Sequence, residues 1–253
     1  MADDDAGRRS ETFRPTEARV PLGRPTVPSW AVGVAVIVLA LVVIDVGFHG
    51  PLDHLDHQIA ERTGSWNLRG HRATRWPLTI GVFFGQRGVV LVAAVALAVG
   101  LAWRARTCEP VLRLLVAALS LAVVVYAFKF GLARNAPIQE IQGVPAGHGA
   151  SFPSGHIANA ILLWGLADWS VQTWATWPLL RRVVRIGRVI APVAVFVAMM
   201  LLNYHWFSDF IGGIAVGVVL LALTLSPRWT EVATKIDARW PPALTPRGRS
   251  LRK

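Results

Sequence analysis

Apolar positions in this chain gather into long blocks, and polar positions gather at the block ends. The blocks cover 29–48, 77–103, 110–129, 154–170, 188–204 and 208–226. Each is near the roughly 20 residues that a helix needs to cross a hydrocarbon layer of about 30 Å. The pattern predicts an all-α bundle of six transmembrane helices over residues 28–226, between tails at 1–27 and 227–253. The first tail, with Asp3, Asp4 and Asp5, several arginines and three prolines, has few apolar anchors and reads as flexible. The second resembles it, with 229–240 able to form a short interfacial helix. Between the first two blocks, Leu52, Leu55 and Ile59 mark one face of an amphipathic helix. Asp53, His54, Asp56, His57 and Gln58 are expected to point largely to water, and Trp66 and Trp76 to sit at head-group depth.

Composition agrees with membrane residence. A hydrophobic content of 53% with only 16% charged residues is wrong for an ordinary soluble domain. The first block is preceded by a polar, partly acidic tail and followed by no clear small-residue cleavage site, so it reads as a retained helix rather than a signal peptide. Basic residues cluster before block one, between blocks two and three, between four and five, and after six. With six spans all four clusters share one side, which the positive-inside rule makes cytoplasmic, as are both termini. The net charge of +11 then reflects attraction to anionic head groups. A nucleic-acid partner is not needed to explain it. Cys108, the one cysteine, has no intrachain disulfide partner and belongs to no metal-binding cluster. No internal period suggests an inverted-repeat transporter.

The candidate chemistry lies on the opposite, external side. With the N-terminus inside, Lys129, the loop 130–153, His156, His205 and Asp209 all reach the same membrane face. Pro153-Ser154-Gly155-His156 looks like a helix start. Ser154 can cap orphan amides, Gly155 permits close approach, and the positive helix end favours an anion such as phosphate. His205 and Asp209 are four residues apart, one face of a continuous helix. Asp209 can then hold one imidazole nitrogen and leave the other free to attack phosphorus. His54, His57 and His71 suggest metal only weakly, because no compact ligand set closes around them.

These segments resemble the motifs of the type 2 phosphatidic acid phosphatase superfamily. Pro153, Ser154, Gly155 and His156 match the second motif in full. His205 and Asp209 match the end of the third, and Lys129 and Pro137 match the first. Two motif arginines are replaced: Ala136 stands before Pro137, and Ala198-Met199 stands where Ser-Arg is expected. The guanidinium fork binds phosphate through several directed donors that neither replacement can supply. Arg134 and Arg87 are therefore candidate substitute ligands.

The resemblance implies a six-helix membrane phosphatase without metal or other cofactor. His205 would form a phosphohistidine, His156 would protonate the leaving oxygen and then activate water, and Asp209 would orient His205. Lys129, Arg134 and the amides around Ser154 and Gly155 would hold the phosphoryl oxygens. The implied partner is a phosphorylated lipid or isoprenoid pyrophosphate in the outer leaflet. Loss of the two arginines keeps a second reading open, a phospholipid-binding or structural membrane protein of the same fold without efficient hydrolysis. Gly213 and Gly217 permit close helix packing, inside the fold or in a homo-oligomer.

Overall fold

The computed structural model describes residues 26–143, 145, 147 and 149–239. Most of the predicted N-terminal tail and the basic residues from 240 onward lie outside the described residues. All regular structure among those described is helical. The helices are α1 (Ser29–Gly47), α2 (Pro51–Ser65), α3 (Arg72–Phe83), α4 (Arg87–Ala105) and α5 (Glu109–Leu132). They continue with α6 (Pro137–Ile141), α7 (Gly155–Trp174), α8 (Pro178–Leu201), α9 (Phe207–Thr224) and α10 (Arg228–Arg239). Proline occupies the first turn of α2, α5, α6 and α8, where its missing N–H would have had no intrahelical partner.

Five described segments are long and apolar enough to cross a membrane: Ser29–Gly47, Arg87–Ala105, Glu109–Ile141, Pro178–Leu201 and Phe207–Thr224. The fourth predicted block corresponds to α7, which is 20 residues long but carries Asn159 and Asp168 within it. The reason is its position. It packs against α4, α5, α8 and α9, so much of its surface meets protein instead of lipid. Its polar groups are answered there, Asn159 Nδ2 by the carbonyl of Gly85 at 2.9 Å and Asp168 by Arg188 at 3.0 Å. A central helix surrounded by other helices need not be apolar all round.

The second predicted span, 77–103, is not one helix. It is interrupted between Phe83 and Arg87, giving α3 and α4. Gly85 sits so close to α7 that a Cβ there would lie 2.5 Å from the carbonyl oxygen of His156. The carbonyls released by the break are not abandoned, because Trp164 Nε1 donates to Phe84 and Asn159 Nδ2 to Gly85. The consequence is positional: Gln86 and Arg87 are presented at the start of α4.

Close approach of α7 and α9 rests on small residues. A Cβ at Gly213 would stand 2.2 Å from Ile157 Cγ2, and one at Gly217 would stand 2.9 Å from Ile161 Cβ. Both glycines are thus used inside the bundle. At the end of the bundle away from His156, α10 docks against the start of α5. Buried Arg113 bonds Glu109 and Thr230 and lies 4.4 Å from the Trp169 ring centre. Asp237 accepts from Thr107 and from the Cys108 amide. Burial, then the hydrogen bond to Asp237, push the Cys108 thiol up to about 11.

Candidate active site

Four helix ends converge on one cavity of about 690 Å³. The end of α5 contributes Lys129, the start of α7 contributes Gly155 and His156, the turn after α8 contributes His205, and the start of α4 contributes Arg87 with Gln86 before it. The imidazole centres of His156 and His205 are 6.3 Å apart, with their planes at 64°. The residues singled out in two separate motifs therefore face one another across a shared space.

His205 and Asp209 do not lie on one continuous helix as their spacing predicted. The chain leaves α8 at Leu201 and starts α9 at Phe207. They meet because Asp209, in the first turn of α9, reaches back toward the residues before it. Its Oδ2 accepts from the Trp206 amide at 3.1 Å and pairs with His205 Nδ1 at 3.0 Å. A carboxylate only accepts, so the shared proton sits on Nδ1 and the Nε2 lone pair is left free. Ser151 also donates to Asp209 Oδ2. Fully buried Asp209 is thus held by donors on several sides, which fixes the imidazole it holds.

His156 has a partner that sequence reasoning missed. Its Nε2 is 2.8 Å from Gln86 Oε1. The only signal for Gln86 was a polar pair, Gln86-Arg87, inside an apolar run. Arg87 has no carboxylate partner among the described residues. It lies over the Tyr126 ring at 5.3 Å and reaches the Tyr126 hydroxyl at 3.4 Å. Lys129 donates to the carbonyl of Ala150 and also borders the cavity.

Ala136 and Met199 both line this cavity. The positions where the family motifs carry arginine are therefore directed at the space between the histidines, and both are uncharged here. Two expected ligands are arranged differently. The Ser154 side chain makes no cap to α7; its hydroxyl is buried without a hydrogen-bond partner. Arg134, expected to be free to take phosphate, is instead committed to carboxylates. Its Nη1 donates to Ser208 Oγ at 2.6 Å and Asp209 Oδ1 at 3.1 Å, and its Nη2 donates to Asp53 at 3.0 Å and Asp56 at 2.8 Å. It is absent from the cavity wall.

The same contacts correct the reading of α2. Asp56 is 1% exposed and faces the bundle, not water, accepting from the Ser208 amide at 2.9 Å. The signal was present in the spacing, since Asp53 and Asp56 are three apart on one helix. Their partner was not readable. His54, His57 and His71 form no group of metal-ligating side chains among the described residues. His57 instead stacks obliquely on Trp206, 4.7 Å between ring centres.

The described helices thus hold His156 and His205 across one cleft, with buried Asp209 behind the imidazole of His205. Residues 89–233 match the family model of the PAP2 superfamily. This is more than half of the chain, and the chain belongs to that superfamily as a multi-pass membrane protein. The fold is similar to that of a transmembrane PAP2 type phosphatidylglycerolphosphate phosphatase from Bacillus subtilis, known from its crystal structure. The TM-score is 0.61 and the identity 21%, over 83% of this chain and 97% of that one. No curated protein matches the chain.

Proposed function

We propose that this protein removes phosphate from a lipid phosphate or isoprenoid pyrophosphate at the extracytoplasmic membrane face, through a phosphohistidine on His205. The observation that carries the proposal is the pairing of His156 and His205 across one cavity, with Asp209 behind His205 and two cations, Lys129 and Arg87, on the wall. In this reading α7, fourth in chain order, completes the count of six spans, and the arginine-rich ends of α4, α5 and α8 face the cytoplasm with both termini.

The chemistry runs in two steps. His205 Nε2 attacks phosphorus, the bond to the leaving oxygen breaks, and His156 gives that oxygen a proton. Water then attacks the phosphoryl group as His156 takes its proton, the P–N bond breaks, and phosphate departs. Asp209 stabilises the imidazolium that forms on His205. Lys129, Arg87 and the amides at the start of α7 neutralise the phosphoryl oxygens. Arg134 serves by holding Asp209, not by holding phosphate. The lipid tail remains in the bilayer beside the cavity while its head group enters.

A second reading follows from Ala136 and Met199, which leave the cavity two guanidinium groups short of the family pattern. The protein then binds a phospholipid head group and turns it over poorly. Phosphate release from phosphatidylglycerolphosphate, phosphatidic acid and an isoprenoid pyrophosphate, measured with purified protein in lipid, separates the two. The phosphatase reading expects release that His205→Ala and His156→Ala each abolish. Binding without release supports the second reading, and release that survives both substitutions contradicts the mechanism.

A further inference from the structure

Asp56 and Arg134 lie outside the paired-histidine machinery, yet both touch what holds it. Asp56 is on α2, outside the matched residues 89–233. One of its oxygens accepts from the Ser208 amide, in the first turn of α9, and the other accepts from the Ser208 hydroxyl and from Arg134. A carboxylate from another helix thus satisfies an orphan amide at the start of α9, the turn that carries Asp209. Arg134 spans the remaining distance. Its guanidinium bonds Asp56, Asp53, Ser208 and Asp209 at once and lies 5.2 Å from the ring centre of Trp206, the residue after His205.

Burial makes this arrangement a charge balance as well as a brace. Asp56 and Asp209 have side chains 0% exposed and the Arg134 side chain is 11% exposed. Charges at such depth act on one another with little screening. Resting on the proposed phosphohistidine reading, we infer that Asp56 and Arg134 are positioning residues that set, through Asp209, the orientation and proton affinity of the His205 imidazole. Arg134 draws charge from Asp209 and limits how strongly Asp209 favours the imidazolium. Asp56 in turn draws on Arg134.

Other charged groups surround His205. The cavity brings Lys129 from α5, Arg87 from α4 and His156 from α7. His57 of α2 and Glu140 of α6 lie 3.6 Å from one another behind Trp206, and Arg69 lies over the Tyr204 ring. None of these is bonded to Asp209. Their influence is common to every variant compared below, so it drops out of differences between them.

The test is the pH dependence of turnover by the full chain in lipid nanodiscs, with phosphatidic acid as substrate. Neutral His205 is the nucleophile, so the acid limb of kcat/KM follows its loss by protonation. Arg134→Gln removes the cation beside Asp209, favours the imidazolium and moves that limb to higher pH by about one unit. Asp56→Asn keeps an acceptor for the Ser208 amide, removes one negative charge and leaves Arg134 to lean on Asp209. Its limb moves to lower pH. The double variant removes one charge of each sign and returns the limb close to wild type. Each single variant lowers kcat by roughly tenfold to a hundredfold with KM unchanged.

A purely structural role cannot produce opposite shifts that cancel, so limbs that stay together overturn the inference. Should the buried variants fail to fold, Asp53→Asn tests the same logic at a more exposed carboxylate, with a smaller shift to lower pH. The titration is also read without turnover, as the pH midpoint of His205 modification by diethyl pyrocarbonate, located by peptide mass spectrometry. Opposite midpoints with no phosphate release sustain the charge balance while defeating the phosphatase reading. Coincident midpoints in an active enzyme do the reverse.

Discussion

Arg87→Ala tests how the cavity manages with two motif arginines replaced. Arg87 stands in the first turn of α4, half-buried, with only the Tyr126 hydroxyl and ring as described partners. The hydroxyl contact at 3.4 Å is beyond the usual range for a strong hydrogen bond. Little internal bonding is therefore lost when the side chain is removed. A charge-assisted contact to a phosphoryl oxygen contributes about 1.5–3 kcal/mol. At about 1.4 kcal/mol per factor of ten, its loss lowers kcat/KM by roughly 10- to 150-fold. Ala136 borders the same cavity, and its backbone, at φ −80° and ψ 157°, suits any side chain. Ala136→Arg in the Arg87→Ala background restores a guanidinium and recovers most of the loss. The assay is phosphate release from lipid in nanodiscs by wild type, both single variants and the double variant, so that the coupling is measured and not assumed. Wild-type kinetics for Arg87→Ala, with His205→Ala inactive, would refute the reasoning and leave Arg87 a snorkelling side chain.

Two further predictions concern packing and the far end of the bundle. Gly213→Ala drives a methyl group into Ile157 and the Ser154 carbonyl, and overpacking of this kind costs about 1–3 kcal/mol. Its thermal transition in detergent falls, and an unchanged transition would contradict the α7–α9 contact. Cys108, with a thiol pushed up to about 11 chiefly by burial and then by Asp237, keeps only about one molecule in ten thousand as thiolate at neutral pH. Maleimide labelling is accordingly slow in wild type and faster in Asp237→Ala, and rapid labelling of wild type at pH 7 would oppose the docked position of α10.

What could be read from the chain followed from which interactions are local. A lipid-facing helix such as α1 must be apolar along most of its length, so its presence is written in hydropathy. The break at Gly85 is not, because it depends on Asn159 and Trp164 arriving from α7 to take the released carbonyls. Likewise Asn159 and Asp168 look out of place within the block that forms α7, since their partners come from Gly85 and Arg188 on neighbouring segments. The meeting of His156, His205, Asp209 and Lys129 was foreseeable from motifs at the block ends. The commitment of Arg134 was not, since nothing in its neighbourhood along the chain points to Asp53 and Asp56 on α2. The charge of Asp56 suggested water, and its burial follows only from partners on α9 and the segment after α5.

The central claim is covalent, and its most direct measurement is rapid quenching of the protein during turnover of phosphate-labelled phosphatidic acid, followed by peptide mapping. The account predicts an acid-labile, base-stable phosphoryl group on His205 that is absent from His205→Ala. Steady turnover with no labelled histidine, or with the label on another residue, would contradict it.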